Sequence, residues 1–367
     1  METNSNSASS KPSASSLRWR ILSRAVLHRA KNPGTLFNPL ISICLYGIVL
    51  ALLTDFNHRV EDESLLGMKL ISRKAAKGFN LIPCQLLNDD HESRDAQFCY
   101  TLPTQGCPKL VLTQRLNNNA NLTDFEICNR HNIDNTGTVC QWPSEDVLAY
   151  YCLSHADMFR SKRVIELGSG YGLAGLTIAA TTEALEVVIS DGNPQVVDYI
   201  LHNINTNSGA FGETRVKPMK LHWNEKEVSN LSHTFDVIVA SDCVVDDVSS
   251  QSIETTYSPL TRGKKSLCYE LKAKSTFFKE FHEDLAQVTE LLLKKPGPSE
   301  AIFFSPKRGN SLDKFLEEIK DNGLLFSITE IYDTEIWNRH HQFMNGDESW
   351  PGYEKDHCYP LLIRITR

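Results

Sequence analysis

The spacing of apolar positions changes once along the folded-looking part of the chain, and the change divides it in two. From residue 78 to 130 short apolar runs alternate with polar breaks, as in GFNLIPCQLL, AQFCYTLP and KLVLTQRL, the pattern of half-buried strands in a small antiparallel sheet. Beyond residue 136 strand-like and helix-like segments take turns: RVIEL then LAGLTIAATT, EVVISD then PQVVDYILHNINTN, FDVIVASD, FFKEFHEDLAQVTELLLKK then EAIFFS, SLDKFLEEIKDNG then LFSITEIY, and finally YPLLIRIT. That alternation predicts an α/β domain over 136–367, a doubly wound parallel sheet whose ligand lies across the carboxyl ends of the strands at the switch point. Residues 78–135 are expected to form an accessory β region in front of it.

The first 77 residues follow a different rule. METNSNSASSKPSASSL, residues 1–17, is Ser/Asn-rich and is expected to be disordered. Within 18–77 a basic amphipathic stretch, RWRILSRAVLHRAKN, precedes the apolar run LFNPLISICLYGIVLALL at 36–53. Asn38 and Pro39 interrupt that run and leave about 14 clean apolar residues, short of the ~20 that a spanning helix needs. A buried segment is therefore the expectation, with the protein in the cytoplasm and nucleus; the alternative is a membrane anchor through 36–53.

Composition narrows the chemistry. The 367 residues are 41% hydrophobic and 23% charged, as in ordinary globular proteins, and the net charge of −7 argues against a nucleic-acid partner. Ten cysteines contain no C-x-x-C pair, and several lie in apolar runs. They read as reduced, intracellular thiols that form neither a disulfide framework nor a metal site.

The stretch VIELGSGYGLAG at 164–175 raises the question of which ligand needs bare backbone there. A dinucleotide site wants G-x-G-x-x-G, and here Leu173 stands where the third glycine should fall. The order E-L-G-x-G-x-G, with Glu166, Gly168, Gly170 and Gly172, instead resembles the first motif of seven-strand S-adenosylmethionine-dependent methyltransferases, whose Rossmann-like sheet that resemblance implies here. Asp191 closes EVVISD nineteen residues after Gly172, about where an acid accepts bonds from ribose hydroxyls. Asn193 before Pro194 is the expected cap of the next helix, and Trp223 in KLHWNE is the expected aromatic wall for an adenine. Each has a plainer reading: Glu166 as a structural strand-end acid, Trp223 as core.

Upstream, VCQWPSEDVLAYYC predicts a helix capped by Ser144, with residues 147, 148, 151 and 152 on its apolar face. The Trp142-Pro143 turn before it is similar to W-P-[AS] turns in methyltransferases that act on lysines of non-histone proteins. Together, DNTGTVCQWPSEDVLAYYC, the glycine loop, SPKRGNSLDKF and the closing YPLLIRIT resemble the calmodulin-lysine N-methyltransferase family. The resemblance implies transfer of methyl groups from S-adenosyl-L-methionine to one lysine of calmodulin, giving trimethyllysine. It implies Trp142, Glu166, Gly168, Gly170, Gly172, Asp191, Asn193 and Trp223 around the cofactor, and Asp242 beside the incoming lysine. Lys307 and Arg308 would sit on the rim facing acidic calmodulin, unless they belong to a solvated loop. A methyltransferase for another protein lysine or a small molecule stays open, as does a catalytically silent form that binds cofactor or partner. One stretch departs from the family's D-x-x-[YF]: after Asp242-Cys243 the polar segment 244–275 intervenes before TFFKEFHEDL, and joining Cys243 to Thr276 would restore D-C-T-F. Residues 244–275 therefore read as an insertion, and 36–57 as a second candidate.

Overall fold

The structure is a computed structural model that describes residues 78–88, 95–115, 127, 133, 142–223, 228–244 and 276–367. The expectations for residues 1–77, including the apolar run and the insertion at 36–57, lie outside the described residues, as does 245–275.

Alternation in the first half becomes a three-stranded antiparallel meander of β1 (Cys84–Asn88), β2 (Asp95–Thr101) and β3 (Lys109–Arg115). After α1 (Pro143–Ser154) come β4 (Arg163–Leu167), α2 (Leu173–Thr181), β5 (Glu186–Asp191), α3 (Pro194–Thr206), β6 (Arg215–Lys220) and β7 (Val237–Ser241). Then follow α4 (Thr276–Leu292), β8 (Glu300–Ser305), α5 (Ser311–Asp321), β9 (Leu325–Thr329), α6 (Thr334–Met344), α7 (Lys355–Cys358) and β10 (Leu361–Thr366). The second half forms one seven-stranded sheet in the order β6-β5-β4-β7-β8-β10-β9. Helices cover both faces, so β4 and β5 read as continuous apolar runs. Val164 and Val187 enter the core beneath α1, α2 and α3, while Ile165 and Val188 enter the opposite core beneath α4 and α5.

Three features depart from the sequence pattern. The sheet is not wholly parallel: β10 runs antiparallel to both β8 and β9, because the connection through α6 and α7 returns the chain to the edge it left instead of crossing the sheet. Strand β6, RVKPMK, carries Pro218 and shows no apolar alternation; it lies at the edge of the sheet, where a residue without an N–H is tolerated. Helix α6, TEIWNRHHQFM, has no counterpart in the predicted elements.

The accessory sheet is fastened to the helix that follows β5. Two buried asparagines four residues apart, Asn203 in α3 and Asn207 at its C-terminal end, face β3 and treat it as a strand would. Asn203 Oδ1 accepts the Thr113 N–H (2.8 Å), and Asn207 Oδ1 accepts the Val111 N–H (2.8 Å) while its Nδ2 donates to the Val111 carbonyl (2.7 Å). Asn203 Nδ2 also reaches the Tyr171 carbonyl in the glycine loop (3.1 Å). The chain ahead of β1 is held separately: Phe79 is fully buried among Phe343, Trp350, Tyr353 and Tyr359, and Arg339 donates to the carbonyls of Phe79 and Asn80.

Asn203→Ala strands the Thr113 N–H inside the interface and is expected to lower unfolding stability by about 1–3 kcal/mol. Urea denaturation measures it; an unchanged midpoint in Asn203→Ala and in Asn207→Ala would show that the asparagine pegs contribute nothing.

Candidate functional site

The glycine loop leaves the carboxyl end of β4 with Gly168, Gly170 and Gly172 all in the left-handed region (φ 59°, 54° and 83°). At Gly168 bareness has a second cause, because a Cβ there would lie 2.8 Å from Cys243 Sγ and 3.4 Å from Trp223 Cζ2. The loop is tied to the next strand by Ser169 N–H to the Ser190 carbonyl (3.0 Å) and by Gly170 N–H to Asp191 Oδ2 (3.2 Å). Asp191 Oδ1 accepts the Asn193 N–H (2.8 Å), and Asn193 caps α3 by accepting from Gln195 N–H (2.9 Å), with Pro194 at the first helical position. Ser169 Oγ and Asn193 Nδ2 are buried near Asp191 and meet no hydrogen-bond partner among the described residues, so both can serve a polar ligand.

This arrangement bears on the kind of ligand. A backbone N–H that a pyrophosphate would use, that of Gly170, is already given to a carboxylate. An anionic phosphate beside Asp191 would be repelled, whereas a ribose diol and a neutral purine would be welcomed.

Glu166 sits one layer deeper, 1% exposed. Its Oε2 accepts the Gly175 N–H (2.8 Å), and burial pushes its carboxyl up to about 8 against the pull of that bond. The fourth glycine of the stretch exists for this contact, since a Cβ on Gly175 would lie 2.6 Å from Glu166 Oε2 and 2.6 Å from Ile189 Cγ1. Sequence reasoning missed that role; an acid nine residues before a helical glycine was the signal.

Asp242 follows β7 and is 5% exposed, with its backbone turned to φ 53°. Its Oδ2 accepts the Ser144 N–H (2.9 Å), and its Oδ1 pairs with Arg308 Nη2 at 2.5 Å. Two expectations need correction here. Ser144 is not the cap of α1: Trp142 occupies that position with Pro143 following, and the first turn's N–H finds its acceptor in Asp242 from another strand. Arg308 does not stand on the rim either. It is 6% exposed, turned inward by a left-handed backbone (φ 40°) and held by Asp242, by the Val244 carbonyl (3.3 Å) and over the Trp142 ring at 5.0 Å. Lys307 beside it is exposed. Val244, the first residue of the suspected insertion, is 1% exposed within the core under α4 and α5, so it belongs to the fold.

Trp223 follows β6 and packs between Gly168 and Phe281, its ring 4.7 Å from the phenyl at 62°. Cys243 lies beneath the loop, its Sγ 3.4 Å from the Leu167 carbonyl, and burial pushes its thiol far up. A small cavity of about 40 Å³ lies between the accessory sheet and the start of α1, lined by Tyr100, Trp142, Glu145, Asp146 and Leu173. Asp146 is pushed up to about 7 by burial. Among the described residues no cysteine is in a disulfide, no group of His, Cys, Asp and Glu is placed to hold a metal, and no helix is long and apolar enough to cross a membrane.

The chain is similar to one family model and to several known proteins. The lysine methyltransferase family model matches residues 123–288. The calmodulin-lysine N-methyltransferase of Arabidopsis thaliana is 53% identical over 357 residues, which is 96% of this chain and 97% of that protein. Two protein-lysine N-methyltransferases, EFM3 of Chaetomium thermophilum and EEF2KMT of Mus musculus, are 29% and 30% identical over 111 and 116 residues, covering 29% of this chain each and 33% and 34% of their own.

The raised carboxyl of Glu166 makes a stability prediction. A folded acid titrating near 8 and an unfolded one near 4.5 give a contribution that is full below pH 4.5 and drains as pH rises to 8. Glu166→Gln lacks that titration. Its stability relative to the parent is expected to climb by up to about 1.4 kcal/mol per pH unit across that window and to level off above it. Denaturation curves at several pH values test this; a difference that stays flat with pH would mean that Glu166 is ionised in the folded protein.

Proposed function

The chain belongs to the lysine methyltransferase family of the Arabidopsis calmodulin-lysine N-methyltransferase, and from that premise we propose that it methylates a lysine side chain of calmodulin. The enzyme is an S-adenosyl-L-methionine-dependent protein-lysine methyltransferase. The observation that carries the finer reading is the convergence of the glycine loop, Asp191 and Asp242 at the carboxyl ends of the adjacent strands β4, β5 and β7.

The residues fit the cofactor. The left-handed turn of Gly168, Gly170 and Gly172 at the end of β4 would hold the methionine part, and Asp191 with Asn193 Nδ2 would hold the ribose and adenine side. Trp223 would be the aromatic wall, Trp142 would approach from the start of α1, and Glu166 holds the loop's far end through Gly175. Bound there, S-adenosyl-L-methionine supplies a methyl group on a cationic sulfur, already reactive toward an amine. The protein's share is positioning and exclusion of water. Asp242, fixed by two bonds, is the acceptor that orients the lysine amine, and Lys307 on the exposed turn meets the acidic substrate. This reading places the enzyme in the cytoplasm and nucleus.

Incubation with labelled S-adenosyl-L-methionine and unmethylated calmodulin is expected to place label on a calmodulin lysine. Label that appears on other proteins of a lysate and never on calmodulin would overturn the substrate. Asp191→Ala is expected to weaken binding of S-adenosylhomocysteine by about 1.5–3 kcal/mol, the range for a lost hydrogen bond to a charged group. Titration calorimetry on the folded variant checks it, and an unchanged affinity would remove Asp191 from the site.

A further inference from the structure

The acceptor lysine reaches the enzyme as an ammonium ion and reacts as an amine, because a protonated nitrogen has no lone pair to offer. A bare carboxylate beside it would hold the ammonium form and oppose the reaction. Asp242, placed beside that amine by the reading above on which this inference rests, is not bare. Its side chain and that of Arg308 are 1% and 7% exposed and paired at 2.5 Å.

We infer that Arg308 is a positioning residue for the acceptor lysine: it fixes Asp242 and cancels its charge, so that the carboxylate still accepts a hydrogen bond while the pair does not stabilise the ammonium. The geometry around Arg308 serves that one contact. Its backbone N–H is anchored on the Asp356 carbonyl (2.7 Å), its Nη1 on the Val244 carbonyl (3.3 Å), and its guanidinium plane lies against Trp142. A guanidinium stays charged at every working pH and cannot take the proton. Each oxygen of Asp242 accepts one bond from the protein and keeps a lone pair for the amine, and the proton shed by the lysine goes to water.

The other ionisable groups around the pair do not perform this task. The thiols of Cys243 and Cys358 are both pushed up by burial and stay protonated at neutral pH. Asp191 and Glu166 act on Cys243 from the ends of β5 and β4, and Glu354 acts on Cys358 from just before α7. Glu145 and Asp146 stand in the first turn of α1, His282 of α4 meets Ser311 at the start of α5, and Lys307 points outward. All of these are common to the variants below and drop out of the comparison.

The test is a charge cycle read as the pH dependence of single-turnover methylation of unmethylated calmodulin at saturating cofactor. Arg308→Gln leaves Asp242 uncompensated, and the midpoint of the rising limb is expected to move up by about one to three pH units. Arg308→Lys keeps the charge and leaves the midpoint in place. Asp242→Asn leaves the guanidinium alone beside the amine and moves the midpoint down, and the double variant, neutral at both positions, brings it back toward the parent. Binding of S-adenosylhomocysteine confirms that each variant is folded; where Arg308→Gln does not fold, the shift in Asp242→Asn and its reversal in the double variant decide. A purely structural Arg308 would lower the rate at every pH with the midpoint unmoved, and that result overturns the inference. An Asp242→Asn enzyme with parental rate and midpoint would instead remove Asp242 from the amine, which is the failure of the underlying reading.

Discussion

The carboxylate of Asp242 is the point on which the site's assembly depends. It is buried at the end of β7, and an unpaired buried anion is costly enough that its surroundings must answer it. The answers come from distant parts of the chain, the first turn of α1 through Ser144 and the turn after β8 through Arg308, while the Asp242 backbone N–H is separately tied to the Phe304 carbonyl of β8 (2.9 Å). Each partner has its own need. The α1 terminus has N–H groups without acceptors in their own helix, and Arg308 has a charge that only an acid in the interior can meet. The two segments are therefore held against the end of β7 because their separate deficits cancel at one carboxylate.

Glycine usage in the loop follows from a division of labour between two acids. Asp191 holds the loop from outside by the Gly170 N–H and stays near the ligand surface; Glu166 holds it from beneath by the Gly175 N–H and is sealed off. The first three glycines have left-handed backbone, whereas Gly175 is helical and bare only because Glu166 and Ile189 leave no room. One sequence stretch thus carries two unrelated reasons for glycine.

That difference also explains what could be read in advance. The alternating strands and helices from β4 to β8, the Asn193-Pro194 cap and the loop glycines follow local rules of period and backbone freedom, and the chain announces them. Ser144 looked like a cap because its residue type suits one, but Asp242 had taken the role across 98 positions of sequence. Arg308 looked like a rim residue because nothing near it in sequence marks it as buried; its partners are a strand end and a tryptophan far upstream. Strand β6 escaped the pattern because an edge strand need not alternate, and β10 reversed direction because the connection before it never crosses the sheet. What was illegible is the long-range pairing of polar groups, which leaves no period behind.

The family model ends at residue 288, before Arg308 and before the aromatic box that receives Phe79. The proposed cofactor side of the site, from Trp142 to Trp223, lies wholly within that match, and the parts proposed to meet a protein substrate lie largely outside it. This division has a physical basis. The cofactor is constant, so its cradle can be built from one continuous βαβ run whose geometry is set by local backbone. The proposed substrate surface would draw on the accessory sheet, the turn after β8 and the segment before β10, which are joined by contacts such as Asn203 to β3 and Arg308 to Asp242. Changing substrates within such a fold therefore requires changing the fasteners and leaves the cradle untouched.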